Sequence, residues 1–152
     1  MKTALVIFNG IRFSYDLAVH VIVWAKKNGG IIHALFVKAK HRENEGYVFP
    51  SDIDAAEDLA GTGDIEHRDV LVIRSQIKLF EDMAKTENIP LNSELLTDPS
   101  LRDIVAITKG PDILFIDADD TDFGILSVTS FTMKELIKKS LCPVEIIKAK
   151  TE

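Results

Sequence analysis

Five short runs of apolar, β-favouring residues recur along the chain, at 3–8, 31–38, 92–97, 112–116 and 143–148. The first, second and fourth runs are apolar almost without a break, which predicts strands buried on both faces of a sheet. The last run opens with Pro143, a residue that sheets tolerate at their edges. We therefore expect the fifth strand to lie at the edge of the sheet.

Stretches with helical periodicity separate these runs. Ser14 predicts the N-cap of a helix over 15–28, and Gly29-Gly30 supplies the left-handed residue that commonly ends a helix. This helix is apolar nearly all round. Such breadth indicates a second contact beyond the sheet, either with the segment 39–65 or with another subunit.

The later helices are predicted by their apolar stripes and caps. Apolar residues spaced three and four apart predict a helix over 67–87. Asp98 and Pro99 predict an N-cap followed by proline at the first helical position. Thr132 and Glu135 form a capping box, which predicts a last helix that ends near residue 140.

Residues 39–65 interrupt the regular alternation of strands and helices. This segment is polar and acidic and contains glycine, which predicts an inserted loop with a short helix over 51–59 that Gly61 stops. Loops of this length inside compact domains are usually either functional or disordered. The sequence leaves both possibilities open.

Strands that alternate with helices across short joints predict parallel crossovers. The whole chain, 1–152, is therefore expected to form a single doubly wound α/β domain, a five-stranded parallel sheet with helices on both faces. Ligands of such sheets bind beyond the carboxyl ends of the strands, at the point where strand order reverses. This geometry points to the loops after the first and fourth strands.

The composition of the chain narrows the classes of function that it can have. A chain of 152 residues, 46% of them apolar, can bury a core without a disulfide or a structural metal. The net charge of −6 argues against a nucleic-acid-binding protein, and no apolar run or signal sequence indicates a membrane, so we expect a cytoplasmic protein. One cysteine and four histidines lack the spacing of a zinc site, and no cofactor is expected.

Several local motifs, taken in order, resemble the universal stress protein family. They are the polar turn after the first strand, the helix start at Asp98-Pro99, the segment 110–114 (GPDIL) that leads into the fourth strand, and the segment 141–144 (LCPV) that opens the fifth. The resemblance covers most of the chain. It implies a Rossmann-like fold with strand order 3-2-1-4-5, similar to the adenine nucleotide alpha hydrolases, with 39–65 as an insertion.

Some members of this family bind ATP and others do not. In the binders an acidic residue follows the first strand, and a glycine-rich motif follows the fourth. The glycines let backbone amides approach the phosphates, and a helix N-terminus adds positive potential. Here the resemblance places the remnant of this nucleotide site at Asn9, Gly10, Val37, Asp117, Asp120 and Ser130.

The remnant departs from the pattern of the binders. The acidic position is Asn9, and the segment 117–122 (DADDTD) carries four carboxylates where the first two glycines should lie. Like charges about 5 Å apart repel by several kcal/mol at an intermediate dielectric. An alignment shifted by one would move the last position to Thr129-Ser130 and leave the first glycines missing. The chain thus resembles the members that have lost ATP binding.

Other interpretations of the acidic segment stay open. Asp117, Asp119, Asp120 and Asp122 could hold Mg²⁺ or Ca²⁺, but the turn glycine and distal glutamate of a calcium loop are missing. A solvated loop that holds no metal is therefore the expectation. Arg12 could pair with this segment and close the former nucleotide site.

No catalytic constellation can be argued from the residues, so we expect no enzyme. Cys142 precedes a buried strand and is expected in the core rather than as a nucleophile. His20 and His33 lie in apolar elements and are expected to be core or interface residues.

The function expected is that of a non-catalytic, cytoplasmic stress-response protein. As the family implies, it would form a homodimer through the fifth strand, with Val144 and Ile146 at the contact, and act through protein partners. The alternative is a nucleotide-binding switch or slow ATPase with a degenerate, metal-assisted site. A flavodoxin-like receiver or electron carrier would share a similar strand order, but its phosphoacceptor aspartate or Ser/Thr-rich phosphate loop is not visible.

Overall fold

The apolar runs form five strands of one parallel sheet in the computed structural model, which describes residues 2–9, 13–38, 53–118 and 133–148. In chain order the elements are β1 (Thr3–Asn9), α1 (Tyr15–Asn28), β2 (Ile31–Lys38), α2 (Ile53–Thr86), β3 (Leu91–Thr97), α3 (Leu101–Ile107), β4 (Ile113–Asp117), α4 (Met133–Lys139) and β5 (Val144–Ile147).

The strands lie in the order β3-β2-β1-β4-β5, and every pair is parallel. The predicted α/β fold class and strand order are confirmed. β1 is the central strand, and its residues from Ala4 to Phe8 are fully buried. Strand order reverses at β1, because the chain moves outward to β2 and β3 and then crosses to β4 on its other side.

Side chains of β1 alternate between two hydrophobic cores, as the pleat of a strand requires. Ala4, Val6 and Phe8 pack beneath α1 and α2, while Leu5 and Ile7 pack beneath α3 and α4. The two cores place a pair of helices on each face of the sheet.

The caps of α1 form as predicted. The Ser14 hydroxyl accepts a hydrogen bond from the Leu17 amide at 3.2 Å, which satisfies one free N–H of the first turn. Gly29 ends the helix in the left-handed region, at φ 61°. Gly30 is buried against the Lys2 carbonyl, which would lie 2.8 Å from an added Cβ, so the next strand starts in close contact with β1.

The prediction of two helices between β2 and β3 is wrong. One helix of 34 residues, α2, replaces the short helix over 51–59 and the later helix over 67–87, and it continues through Gly61. A glycine inside a helix costs only about 1 kcal/mol relative to alanine, and no proline interrupts this stretch. The remaining part of the inserted segment, 39–52, lies outside the described residues.

The start of α3 also differs from the prediction. Asp98 adopts a left-handed conformation at φ 49°, and its amide donates to the Lys38 carbonyl at 2.7 Å. Ser100 is the N-cap instead, and its hydroxyl accepts a hydrogen bond from the Asp103 amide at 3.2 Å. Asp98 therefore belongs to the turn that leaves β3, and the helix starts two residues later than predicted. Thr132 of the expected capping box lies outside the described residues.

Helix α2 is much longer than the strands that it crosses. At 1.5 Å per residue its length is about 51 Å, whereas a strand of seven or eight residues spans about 25 Å. Phe80 already packs against Phe8, close to the carboxyl end of β1, with ring centroids 5.2 Å apart. The first half of α2 therefore extends past the carboxyl edge of the sheet.

Within the described ranges, no helix is both long and apolar enough to cross a bilayer.

The continuity of α2 predicts the sign of a glycine substitution. Gly61→Ala should stabilise the protein by about 0.5–1 kcal/mol, because alanine loses less backbone entropy than glycine in a helix. Gly29→Ala is the matched control and should destabilise it by about 1 kcal/mol, because Gly29 has a positive φ that alanine adopts only at a cost, while the added methyl would meet no neighbouring atom. Urea unfolding measures both changes. Destabilisation by Gly61→Ala would show that the helix is interrupted there.

Candidate functional site

The carboxyl edge of the sheet brings together three of the residues predicted for the nucleotide site. Asn9 ends β1 and pairs with Val37 of β2. On the other side of β1, Asp117 ends β4, directly after Ile116, whose partner in β1 is Ile7. These residues therefore lie side by side at the point where strand order reverses, which is where doubly wound folds bind ligands.

Two charged residues are buried at this edge. Asp117 is 7% exposed and Lys38, at the end of β2, is 5% exposed. Each follows a core phenylalanine by two residues, Phe115 and Phe36, so both occupy the face of the sheet that α1 and α2 cover. β1 runs between them, which separates their backbones by about 10 Å. The edge thus carries one buried cation and one buried anion on either side of the central strand.

An aromatic cluster lies beside these charges. Phe13, in the connection from β1 to α1, stacks on Phe8 with ring centroids 5.0 Å apart, and Phe8 stacks on Phe36 at 4.8 Å. Phe80 of α2 meets Phe8 edge-on at 5.2 Å. This packing fixes Phe13, two residues before α1, on the core, because an aromatic pair adds about 1 kcal/mol beyond its area burial.

Lys38 and Phe13 are the two residues of this edge that the sequence analysis missed. The available signal for Lys38 was its place at the end of a strand buried on both faces, where a charge is unusual. For Phe13 the signal was an aromatic residue within a short polar turn. In the sequence Lys38 looks like the ordinary end of a strand and Phe13 like the ordinary start of a helix. Neither residue was therefore predicted to belong to the site.

The other residues predicted for the site lie outside the described residues. They are Gly10, Arg12, Asp119, Asp120, Asp122 and Ser130. The pairing of Arg12 with the acidic segment and the cation site therefore stay predictions. Among the residues that the structure describes, no group of three or more His, Cys, Asp or Glu side chains is placed to hold a metal ion.

The described edge carries two side chains whose polar groups suit the binding of a ligand. The Lys38 ammonium is a hydrogen-bond donor for anionic oxygens, and the Asp117 carboxylate accepts hydrogen bonds from hydroxyls and amines. A surface depression lined by Glu81, Lys85 and residues 88–91 lies at the opposite edge, where β3 begins. That depression is therefore separate from the candidate site.

The cysteine and histidine predictions have different outcomes. Cys142 is buried in the core beneath α3 and α4, as predicted. His20 and His33 are partly exposed rather than in the core, so that part of the prediction is wrong. Each faces a carboxylate, His20 with Glu145 at 3.8 Å and His33 with Glu94 at 3.0 Å. The reason is position: His20 lies on the flank of α1, and His33 lies beside an exposed residue of the edge strand β3.

The fifth strand is an edge of the sheet, as predicted, because β4 is its only partner among the residues that the structure describes. Val144 packs partly against the core beneath α3 and α4, whereas the Ile146 side chain is 47% exposed. Glu145 lies between them and is exposed. In the described part of the chain, this edge therefore presents one exposed isoleucine and a strand side that faces no other strand.

Comparison with known proteins gives matches in structure and none in sequence. No protein-family model matches the chain, and no curated protein matches it. The universal stress protein UspA from Lactobacillus plantarum superposes with a TM-score of 0.67 at 14% identity, over 96% of this chain and 97% of that chain.

Two nucleotide-bound structures are similar over nearly the whole chain. The universal stress protein from Archaeoglobus fulgidus in complex with dAMP has a TM-score of 0.60 at 15% identity, over 97% of this chain and 98% of its own. A universal stress protein family protein from Arabidopsis thaliana with AMP bound has a TM-score of 0.55 at 14% identity, over 99% and 93%. Strand order, chain length and these superpositions agree, and the chain has the fold of the universal stress proteins.

Proposed function

We propose that this chain is a universal stress protein that does not bind ATP and acts in the cytoplasm through protein partners, without catalysis. The observation that carries the proposal is the buried carboxylate of Asp117 at the end of β4. In the ATP-binding members of the family, a glycine-rich segment that approaches phosphate begins at this place. A buried carboxylate there repels phosphate and adds a side chain where close backbone approach is needed.

The charge of the following segment supports the same conclusion. Three further carboxylates follow within five residues of Asp117, and Asn9 replaces the acidic residue that binders carry after their first strand. The family resemblance supplies the stress-response role.

A second candidate function is a nucleotide-binding switch or slow ATPase. Lys38 favours it, because a buried ammonium at the carboxyl edge can attract an anionic ligand. The similar structures that hold dAMP and AMP show that this fold accepts nucleotides in other chains. This candidate requires a cation or a different backbone path to offset the carboxylates after β4.

Calorimetric titration with ATP, with and without Mg²⁺, separates the two candidates. The wild-type protein, free of co-purified nucleotide, should show no binding at millimolar ATP. A variant with Asp119→Asn, Asp120→Asn and Asp122→Asn should gain affinity, because removal of three like charges relieves roughly 1–3 kcal/mol of repulsion, or a factor of about ten or more.

A matched variant controls for net charge. Glu81→Gln, Asp82→Asn and Glu87→Gln remove as many carboxylates from the end of α2 and the turn after it, and should leave the protein unable to bind ATP. Tight Mg²⁺-dependent binding by the wild type would refute the main proposal and support the metal-assisted switch.

The proposal includes a homodimer through β5, with Val144 and Ile146 at the contact. Ile146→Glu should raise the dissociation constant of this dimer about tenfold or more, because it places a charge in an apolar contact. Leu141→Glu is the control, since Leu141 is likewise an exposed aliphatic residue but lies outside the strand. Light scattering across a concentration series measures both. Equal masses for the two variants at every concentration would contradict the contact.

A further inference from the structure

The end of α1 carries an asparagine directly before a glycine. Asn28 is the last residue of this helix, and Gly29 follows it as the C-cap in the left-handed region. Both residues are exposed. An asparagine side chain can react with the backbone nitrogen of the next residue, and glycine hinders this attack least, because it has no side chain and turns freely. The pair therefore places an electrophilic amide beside an accessible backbone nitrogen.

Hydrogen bonds hold this pair in its helical arrangement. The Asn28 side-chain amide donates to the Trp24 carbonyl at 2.8 Å. The Gly29 backbone amide donates to the Ala25 carbonyl, which also accepts from the Gly30 amide at 2.9 Å. Attack on the side chain requires the Gly29 nitrogen to give up its proton and its hydrogen bond. The C-cap of α1 therefore protects Asn28 while it is formed and releases it when the last turn opens.

We propose that Asn28 is a site of spontaneous deamidation and that opening of the α1 C-cap controls its rate. In the opened state the Gly29 nitrogen, having lost its proton to solvent, bonds to Cγ of Asn28, and the side-chain nitrogen takes up a proton and leaves as ammonia. The product is a five-membered succinimide ring. Water then opens the ring at Cγ to give aspartate, or at the main-chain carbonyl carbon of residue 28 to give isoaspartate. The net reaction consumes water, releases ammonia and needs no oxidant.

The other asparagines whose side chains the structure describes lack this combination. Asn88 precedes a β-branched isoleucine, and Asn92 lies inside β3 and precedes a serine. A side chain on the following residue crowds the attacking nitrogen, and a strand ladder holds the backbone in place. Among these described asparagines, Asn28 is therefore expected to react first.

The products disturb the junction between α1 and β2. A carboxylate at position 28 cannot donate to the Trp24 carbonyl, and it places a negative charge at the C-terminal end of the helix, where the macrodipole is also negative. Isoaspartate in addition lengthens the main chain by a methylene group before Gly29. Gly30 then has to shift from a closely packed position, in which an added Cβ would lie 2.8 Å from the Lys2 carbonyl oxygen. Deamidation therefore destabilises the start of β2, next to the central strand.

Tryptic peptide mapping of the full-length protein after incubation at mildly alkaline pH tests the site. Trypsin releases Asn28 on peptide 28–38, Asn9 of the second Asn-Gly pair on peptide 3–12, and Asn88 and Asn92 on peptide 86–102. Mass spectrometry should show peptide 28–38 converting from amide to acid while peptide 86–102 stays unchanged, and chromatography separates the aspartate and isoaspartate forms. The urea-unfolded protein should convert at Asn28 roughly ten- to thirtyfold faster, because the hydrogen bonds of the cap are lost.

Variants around the cap test whether its opening sets the rate. Gly30→Ala leaves the reacting pair intact but forces the turn away from the Lys2 carbonyl, so it should accelerate deamidation severalfold. Glu87→Gln is the milder variant, and it decides if Gly30→Ala does not fold. It removes the 2.7 Å ion pair to Lys26 in the last turn of α1 and should accelerate the reaction about two- to fivefold.

Two substitutions of Asn28 itself test the effect of the product. Asn28→Asp should lower the urea midpoint of unfolding. Asn28→Ser should lower it less and cannot deamidate, because a serine hydroxyl can still donate to the carbonyl four residues back, as Ser75 donates to Leu71 at 3.0 Å. Equal midpoints for the two variants would overturn the effect on the junction.

The rates decide the rest of the proposal. A native protein whose peptide 28–38 is unchanged after roughly a hundred times the period that the unfolded chain needs would overturn Asn28 as a modification site. Equal rates in the wild type, the cap variant and the unfolded protein would overturn control by the cap.

Discussion

Burial of β1 on both faces is the constraint on which the rest of this structure depends. A strand with no polar side chain between Ala4 and Phe8 must have a hydrogen-bonding neighbour on each side and a hydrophobic layer above and below. The chain meets this demand with β2 and β4 as neighbours and with two helices on each face. Because β2 and β4 flank β1, strand order reverses there, and the loops after these strands converge at one edge.

That edge also explains the contrast between fold and site. Doubly wound sheets bind their ligands where strand order reverses, whatever their sequence. The fold therefore determines where a ligand would lie, and the side chains there determine which ligand it is. Lys38 and Asp117 give this position its character in the present chain, as one buried cation and one buried anion. The dAMP and AMP complexes of similar structures belong to chains that differ from this one at about 85% of aligned positions.

Sequence reasoning succeeded where a local rule agrees with the packing. Continuous apolar runs predicted the buried strands, and Ser14 and Gly29 predicted both ends of α1, because caps depend on a few adjacent residues. It failed where two local rules compete. Gly61 looked like a stop signal but lies within α2, and Asp98 looked like a cap but adopts a left-handed conformation and donates its amide to the Lys38 carbonyl.

The site was only partly predictable for a related reason. Asn9, Val37 and Asp117 follow from strand ends, which the sequence marks well. Lys38 is buried because of its place in the alternation of side chains along β2, and Phe13 packs on the core because it stacks on Phe8 of another element. Both placements depend on the register of the strands, which local sequence does not specify. The second contact expected from the apolar breadth of α1 stays a prediction; Tyr15, Val19 and Val23 of this helix are exposed in the described part of the chain.

The most direct test of the central claim is to follow the backbone amide resonances of Asn9, Val37 and Asp117 by NMR while ATP and Mg²⁺ are added. These three amides lie on the edge where a nucleotide would bind, so they report on this position specifically. The account predicts that they do not shift as ATP reaches millimolar concentration. Saturable shifts confined to these residues and their neighbours would contradict it, because they would show that the edge still accepts a nucleotide despite the carboxylates that follow β4.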